Sequence, residues 1–420
     1  MYTFRLNLKR ISIWILLLAQ IVLILSYFFS RVSPPVSKTN AKISFLKSIE
    51  NVDEATATYH TLDTNIILKS VSTKNNFIDF NSSLCFKNGT DLISMKISKV
   101  NWKCNCLPGW HGNDCGQPEV LWRALIANKK PIKIKGPRTF ERRLIYLFEV
   151  NKFSEHIADI RINELGSTVD LFILYEDPDS TYLLNKLNQK NTKAKFYISK
   201  RKENIYGKKV KTYLKNLRND DVILSSNLNE IPNQDALTFL KFYDHWPQPI
   251  KFRFRWSVFG FFWLHPSRTI IGGGACTVSF LKEIFNNQLT LLTDNKTLSN
   301  PIYKGLMLGD LNHYGGWYCE YCNDPLQIVE FLASKPRNVI NWDKVDKQKI
   351  DNSYIEDLIE NGVYIDGKTQ LVKAHKYRDN YFAPRFVNDH NWIYDFLLIN
   401  LYSKLDYYEA FVNKQLSIVN

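Results

Sequence analysis

The chain has 420 residues, of which 45% are hydrophobic and 23% are charged, a composition typical of a folded globular protein. This length allows a large hydrophobic core in one or two domains. Seven cysteines are too few to hold the whole chain together as a disulfide-rich scaffold. The net charge of +14 indicates a surface that attracts anionic groups.

The first element along the chain is an apolar segment, residues 11–29, which contains no charged residue. A helix of this length, at ~1.5 Å per residue, spans roughly the ~30 Å hydrocarbon core of a membrane. Three of the first ten residues are basic, whereas only Arg31 follows closely, so residues 1–10 should stay in the cytosol. A cleaved signal peptide is the alternative, but no small-x-small cleavage site follows the segment. The sequence therefore predicts a single-pass type II membrane protein whose body lies in the secretory lumen, where nucleic acid is excluded as a partner.

The next segment, residues 30–84, is polar, with a Pro-Pro pair and many Ser, Thr, Asn and Lys residues. It lacks a sustained apolar period over most of its length, which predicts a stem with little local structure. Three N-x-Ser/Thr sequons in a luminal chain predict glycans at Asn81, Asn88 and Asn295.

A cysteine-rich unit, residues 85–116, follows the stem. Its C-x-C pair and the G-x-x-C after it have the spacing of the C-terminal half of an EGF-like module. Four cysteines allow three pairings, and the EGF resemblance implies Cys85–Cys104 and Cys106–Cys115. A zinc knuckle is the alternative, but only His111 is at hand and the lumen favours disulfides.

The main domain, residues 138–402, alternates predicted strands and helices. Apolar runs predict strands, and helix-period apolar positions predict helices. The strands are expected at residues 143–148, 169–175, 194–198 and 221–224, and the helices at 154–165 and 234–243. This alternation is typical of an α/β fold with a parallel sheet. Ligands of such sheets bind beyond the carboxyl ends of the strands, and the polar loop 227–232 follows the last predicted strand.

Five segments of this domain resemble, in the same order, the β-1,4-mannosyl-glycoprotein 4-β-N-acetylglucosaminyltransferase family, which is glycosyltransferase family seventeen and adds bisecting GlcNAc. The similarity runs from about residue 142 to about residue 384, and its segments are RRLIYLFEVNKFSEHIADIRINELGSTVDLFILYE, NEIPNQDALTFLKFYDHW, SVFGFFW, CTV and GGWYCEYC. The resemblance implies a GT-A-like nucleotide-sugar transferase fold in the Golgi lumen. It also implies transfer of N-acetylglucosamine from UDP-GlcNAc, in β-1,4 linkage, to the core mannose of N-glycans on acceptor glycoproteins.

The family makes a β-linkage from an α-linked donor, which implies one inverting displacement with one carboxylate as general base. Family members also carry an Asp-x-Asp-Glu-Ile-Pro loop, in which the aspartates hold Mn²⁺ or Mg²⁺ against the donor diphosphate. Here the loop has Asn227 and Asn229 in place of both aspartates, and Glu230 is retained. Metal ligation by these three residues is therefore expected to be weak, since an amide oxygen is neutral. The alternative is that both asparagines are turn residues.

The candidates for the general base are Glu230, Asp235, Asp310 and Glu320, with Glu230 ranked first because it is adjacent to the expected donor site. Asp310 belongs to a predicted acceptor-side loop with His313, before Trp317. In the Phe-rich stretch 252–263, alternating aromatic residues are predicted to belong to the core and one or two to stack on sugar rings. The predicted substrate-binding residues are Arg255, Trp263, His313 and Trp317.

Two basic segments are candidates for holding an anionic substrate, residues 129–143 and residues 186–218; a solvated basic surface is the alternative. Gly272-Gly273-Gly274 permits close backbone approach to a ligand. Cys319 and Cys322 are expected to form a disulfide or to share a three-cysteine set with Cys276.

The altered loop leaves three hypotheses about function. The first is an active transferase with reduced metal dependence. The second is a catalytically impaired relative that binds glycan or nucleotide as a regulatory membrane protein. The third, an EGF-based adhesion protein, leaves the long α/β pattern unexplained.

Overall fold

The structure, a computed structural model, describes residues 20, 59–61, 67–80, 83–97, 103–128, 131–176, 196–199, 214–294, 296–297, 303, 305–334, 350–376 and 378–403. All of these except Gln20 belong to one unit, Glu54–Asn420. The strands are β1 (Tyr59–Thr61), β2 (Phe77–Asp79), β3 (Leu84–Phe86), β4 (Trp110–His111), β5 (Gln117–Pro118), β6 (Leu144–Val150), β7 (Leu171–Glu176), β8 (Phe196–Ser199), β9 (Val222–Ser226), β10 (Glu230–Pro232), β11 (Ile250–Val258), β12 (Gly260–Thr277), β13 (Leu306–Leu308), β14 (Gly316–Glu320) and β15 (Val372–Lys373). The α-helices are α1 (Leu92–Ile97), α2 (Glu119–Ile126), α3 (Glu155–Leu165), α4 (Gln234–Phe242), α5 (Val278–Glu283), α6 (Thr290–Thr293), α7 (Pro325–Ser334), α8 (Asn352–Asn361), α9 (Arg385–Asp389) and α10 (Asp395–Leu398).

The main sheet has the strand order β1-β8-β7-β6-β9-β12-β11-β14-β10, with β13 beside β11 and β15 beside β12. Strands β1, β8, β7, β6 and β9 run parallel to one another. Counted along the chain from β6, the order of the four central strands is 3-2-1-4, the arrangement of a nucleotide-binding half-sheet. The predicted α/β fold with parallel strands is confirmed, and its topological switch point lies between β6 and β9.

Strand β6 shows why this part of the chain folds as a central strand. Leu144, Tyr146 and Phe148 are buried on one face of the sheet, and Ile145 and Leu147 are buried on the other. A parallel strand covered on both faces needs such a continuous apolar run. Helix α3 follows, with Ser154 at its N-cap and Gly166 at its C-cap, within one residue of the helix predicted at 154–165.

The aromatic stretch forms the antiparallel hairpin of β11 and β12. Strand β12 also pairs antiparallel with β9, so it joins the hairpin to the parallel half of the sheet. Strand β14 runs parallel to β11, and β10 pairs with β14 so that Glu230 is opposite Tyr318. The loop after β9 is therefore short, residues 227–229, and both of its ends are anchored in the sheet.

The N-terminal part of the unit differs from the predicted stem, residues 30–84. Leu68 and Phe77 are buried, and Phe77 contacts the ring of Phe242 on α4 with centroids 5.7 Å apart. The buried Arg143 donates to the carbonyl oxygen of Leu68 at 3.0 Å and to Asp221 Oδ1 at 2.8 Å. Residues 67–80 therefore pack against the core. The sequence did not predict this packing, because the scattered apolar residues of this polar segment are too few to give a periodic signal.

The half-EGF unit contains the predicted disulfides Cys85–Cys104 and Cys106–Cys115. It is attached to the main domain where Tyr243 OH donates to Asp114 Oδ2 at 2.7 Å. Gly116 lies directly against that tyrosine ring, since an added Cβ would be 1.7 Å from the hydroxyl. Helix α2, which precedes the predicted start of the domain at residue 138, also packs on β13, so the unit and the domain share one core.

Cys319 and Cys322 form a third disulfide, and Cys276 is a buried free thiol. Asn88 is exposed, which is compatible with a glycan there. The predicted anchor at 11–29, apart from Gln20, and the sequons at Asn81 and Asn295 lie outside the described residues. Within the described residues, no helix has the length and apolar character needed to cross a membrane.

Candidate active site

A cavity of about 780 Å³ lies at the carboxyl edge of the parallel strands. It opens at the switch point, since β6 contributes Phe148 and Glu149 to its wall and β9 contributes Ser225 and Ser226. Other parts of the wall come from the loop after β9, from β14 and from the helical C-terminal part; they include Asn227, Leu228, Asn229, Tyr318, Glu320, Tyr321, Phe331, Tyr364 and Asp366. The loop that the sequence predicts as a ligand site therefore forms part of this wall, and ligand binding there stays a prediction.

The buried side chain of Glu230 accepts hydrogen bonds from the start of the loop 227–229. The backbone N–H of Asn227 donates to Glu230 Oε2 at 2.8 Å, and the side-chain amide of Asn227 donates to Oε1 at 2.8 Å. Glu230 is only 2% exposed and is not part of the cavity wall. Burial raises its pKa, while the hydrogen bonds from Asn227 and the nearby cations Arg161 and Lys251 act in the opposite direction.

The glycine run in β12 provides the space that the Glu230 carboxylate occupies. A Cβ on Gly272 would lie 1.9 Å from Glu230 Oε1, and one on Gly273 would lie 3.1 Å from Oε2. The close approach predicted for Gly272-Gly273-Gly274 is therefore made by Glu230, which leaves no room for side chains at the first two glycines.

Arg161 on α3 holds the same loop from below. Its Nη2 donates to the carbonyl oxygens of Asn227 at 2.9 Å and of Leu228 at 2.5 Å. The guanidinium lies over the ring of Phe148, 4.4 Å from the centroid. Because Arg161 is buried and lies near Glu230, the loop is fixed between a buried guanidinium and a buried carboxyl group.

Glu320 is the acidic wall residue that β14 brings to the cavity. Its Oε2 accepts hydrogen bonds from Trp256 Nε1 at 2.8 Å and from the hydroxyl of Tyr364 at 3.2 Å. The disulfide Cys319–Cys322 encloses it and Tyr321. Burial raises the pKa of Glu320, and the two hydrogen bonds partly oppose that effect.

Two further acids, Glu149 and Asp366, and several tyrosines also line the cavity. Asp366 accepts from the backbone N–H groups of Lys368 and Thr369 and from the Thr369 hydroxyl, and these hydrogen bonds lower its pKa despite burial. Glu149 follows the end of the aromatic run in β6. Among the described residues of the wall there is no lysine or arginine, so this wall matches the apolar faces and hydroxyl groups of neutral sugars better than a diphosphate.

The residues present at the loop do not fit the divalent cation that the resemblance implies. The amide of Asn227 is turned to Glu230, the side chain of Asn229 is hydrogen-bonded to Tyr318, and both oxygens of Glu230 already accept hydrogen bonds. Within the described residues, no group of three or more His, Cys, Asp or Glu side chains has the arrangement of a metal site. We therefore derive no chemical step through a metal ion.

Asp310 and His313 lie away from the cavity, in a turn near α2. Asp310 Oδ1 accepts from the backbone N–H groups of Asn312 at 2.7 Å and His313 at 2.8 Å, and these bonds keep its pKa low against the effect of burial. His313 Nε2 lies 3.9 Å from Glu119. In this structure the pair shapes a turn beside the half-EGF unit.

The other predicted substrate-binding residues are also engaged elsewhere. Arg255 is 1% exposed and donates to the carbonyl oxygen of Tyr381 at 2.6 Å and to Asp379 at 2.9 Å. Trp317 donates to the same carbonyl at 2.9 Å, and Trp263 donates to the carbonyl oxygen of Ile359 at 2.8 Å. Asp235, another candidate base, lies in the first turn of α4 and outside the cavity wall.

Sequence reasoning did not single out Glu149, Tyr318, Tyr364 or Asp366. Only the position of Glu149 could have been found, because it lies at the carboxyl end of the predicted first strand. The others come from segments that are distant in sequence and that the hairpin and the C-terminal helices bring to the same edge.

Comparisons with known proteins agree on one family. No family model matches the chain. The chain is 28% identical over 341 residues to the human β-1,4-mannosyl-glycoprotein 4-β-N-acetylglucosaminyltransferase, which covers 72% of this chain and 63% of the relative. The rat enzyme of the same name is 27% identical over 339 residues, covering 71% and 62%, and the mouse enzyme is 27% identical over 350 residues, covering 74% and 64%.

The chain thus spans somewhat less than two thirds of the length of these relatives. The crystal structure of 4-diphosphocytidyl-2C-methyl-D-erythritol synthase aligns with 40% of this chain and 89% of its own at 14% identity, with a TM-score of 0.24 that supports no argument. The three sequence matches support the resemblance to the β-1,4-mannosyl-glycoprotein 4-β-N-acetylglucosaminyltransferase family that the sequence motifs indicate.

Proposed function

We propose that this protein is a glycosyltransferase that moves N-acetylglucosamine from UDP-GlcNAc to the core mannose of N-glycans in β-1,4 linkage. The observation that carries the proposal is the cavity at the switch point between β6 and β9, whose wall includes the loop at the position of the family's donor motif. The resemblance to the family supplies the reaction, and the position of the cavity matches the general rule for ligand sites in α/β sheets.

The described side chains suit the sugar part of this reaction. Tyr318, Tyr321 and Tyr364 offer aromatic faces to the C–H faces of sugar rings, and Glu320 and Asn229 offer polar groups to sugar hydroxyls. An inverting transfer needs a base for the acceptor hydroxyl and a position in line with the departing diphosphate. Asn227, Leu228 and Asn229 form a rigid wall for the donor, because Arg161 and Glu230 fix the backbone.

A transferase assay on the full-length chain tests this function. We expect UDP-GlcNAc and a core N-glycan carrying the trimannosyl branch point to yield a product that is heavier by one N-acetylhexosamine, with linkage analysis locating it at O4 of mannose. The matched control is the same glycan without its core β-mannose. Binding of UDP-GlcNAc without any transfer to N-glycans would contradict the proposal.

A glycan-binding regulatory role is the second candidate, favoured by the acidic and aromatic wall without a described basic residue. It predicts that N-glycans bind to the protein in the absence of any nucleotide and that UDP-GlcNAc does not compete. Titration of an N-glycan by calorimetry, with and without UDP, separates the two functions.

The proposal extends to topology and location. A type II Golgi protein anchored by residues 11–29 would have its three disulfides in an oxidising compartment, and it would carry a glycan at the exposed Asn88. Endoglycosidase treatment of the cell-expressed protein should lower its mass. An unchanged mass, with the C-terminus protease-accessible on intact microsomes, would contradict this topology.

A further inference from the structure

Three acids among the described residues line the cavity, Glu149, Glu320 and Asp366. They differ in the hydrogen bonds that their carboxylates accept. Asp366 has both carboxylate oxygens engaged by the turn that it caps. Glu149 has no side-chain hydrogen bond among the described residues that would fix its orientation. Of the three, only Glu320 combines a fixed side chain with one carboxylate oxygen that accepts no hydrogen bond from the described residues.

The two oxygens of Glu320 are not equivalent. Trp256 and Tyr364 both donate to Oε2, whereas Oε1 has no donor among the residues that the structure describes. A carboxylate anchored through one oxygen presents the other at a defined position, which is the arrangement a general base needs to accept a proton from a bound hydroxyl.

The backbone around Glu320 is also fixed. The Cys319–Cys322 disulfide joins the residues on either side of the Glu320–Tyr321 pair, and Cys319 N–H donates to the carbonyl oxygen of Asn229 at 3.0 Å. Glu320 is therefore coupled directly to the loop at the donor position. Tyr321 has a φ of +54°, a conformation uncommon for a non-glycine residue that is often found where a site demands it.

We propose that Glu320 is the catalytic base of the transfer, an inference that rests on the proposed function. In the step, the acceptor hydroxyl gives its proton to Glu320 Oε1 and its oxygen bonds to the anomeric carbon of GlcNAc. The bond between that carbon and the diphosphate oxygen breaks, and its electron pair leaves with UDP. Trp256 and Tyr364 are positioning residues, since they hold Oε2.

The pKa of Glu320 is consistent with this role, because burial raises it toward the neutral range in which a base is most effective. The groups that face it are Tyr318, Tyr321 and Tyr364, and none of them adds a positive charge. His265, whose pKa is itself lowered by burial, stacks on the far side of Trp256 with ring centroids 3.6 Å apart.

The test compares Glu320→Gln with Glu330→Gln in the full-length chain. Glutamine can still accept from Trp256 and Tyr364, so folding is retained, and Glu330 is an exposed acid on α7 paired only with Lys152 among the described residues. We expect Glu320→Gln to lower kcat by about 10²–10⁴-fold, the usual contribution of a general base. UDP affinity by calorimetry should be unchanged, and Glu330→Gln should behave like the wild type.

A second variant, Glu320→Asp, keeps the charge but withdraws it by one methylene, and we expect it to retain measurable activity with an altered pH profile. Wild-type kcat in Glu320→Gln, or loss of turnover in Glu149→Gln instead, would overturn the inference and leave the proposed function standing. Absence of transfer by the wild type itself would overturn both. A loss of UDP binding along with turnover in Glu320→Gln would assign Glu320 to donor binding and overturn its role as base.

Discussion

Replacing Asn227 with aspartate is the perturbation that best tests how Glu230 holds the loop 227–229. The change restores the residue of the family motif, and the structure gives it a cost. The side-chain amide of Asn227, which donates a hydrogen bond to Glu230 Oε1 at 2.8 Å, becomes a carboxylate. A hydrogen bond to a charged group is therefore lost, and two hydrogen-bond acceptors face each other. A bond of that kind contributes about 1.5–3 kcal/mol, and the like-charge contact adds to the loss until one carboxyl is protonated.

We therefore expect Asn227→Asp to lower the free energy of unfolding by about 1.5–3 kcal/mol at neutral pH, which is the value of the lost hydrogen bond. The deficit should shrink as the pH falls, because protonation of either carboxyl restores a donor. Urea unfolding followed by tryptophan fluorescence measures both effects. The double variant Asn227→Asp/Glu230→Gln is the matched control, since the glutamine can donate to the introduced carboxylate and accept from the backbone N–H.

Stability of Asn227→Asp equal to that of the wild type would refute the reasoning, as would a double variant less stable than the single one. A second experiment measures the response of these variants to a divalent cation. If the altered loop is a weakened form of the family site, Mn²⁺ should stabilise Asn227→Asp/Asn229→Asp and raise its UDP-GlcNAc binding, whereas the wild type should not respond. An unchanged Mn²⁺ response after reversion would separate this loop from donor binding.

Three further variants test the surroundings of the site. Trp256→Phe removes a hydrogen bond that lowers the pKa of Glu320; the pKa should then rise, and the acidic limb of the kcat profile should move to higher pH, while an unmoved limb would dissociate Trp256 from the base. Replacing Cys319 and Cys322 with serine should lower kcat more than it changes UDP affinity, and equal losses would indicate general unfolding. Arg161→Met should raise the KM for UDP-GlcNAc and lower the melting temperature, with Arg161→Lys intermediate; unchanged KM in both would contradict its hold on the loop.

The sequence predicted the parallel strands because each is a continuous apolar run, and it predicted the position of the loop 227–229 because polar residues follow the apolar run of β9. The EGF-like spacing predicted two disulfides, whereas the bond between Cys319 and Cys322 was one of two alternatives. The sequence could not predict that Glu230 turns inward, since that depends on Gly272 and Gly273 of a strand that is distant along the chain. Arg255 and Trp317 resembled ligand-binding residues because of their type, whereas the structure uses both to hold the carbonyl of Tyr381.

The hydrogen bonds of Arg143 have a practical consequence for anyone dissecting this protein. Its guanidinium joins Leu68, Asn216 and Asp221, so a recombinant fragment that starts at residue 138 would leave a buried cation with part of its partners missing. It would also leave the ring of Phe242 uncovered where Phe77 now packs. A fragment that starts at Glu54, the first residue of the unit, keeps these contacts.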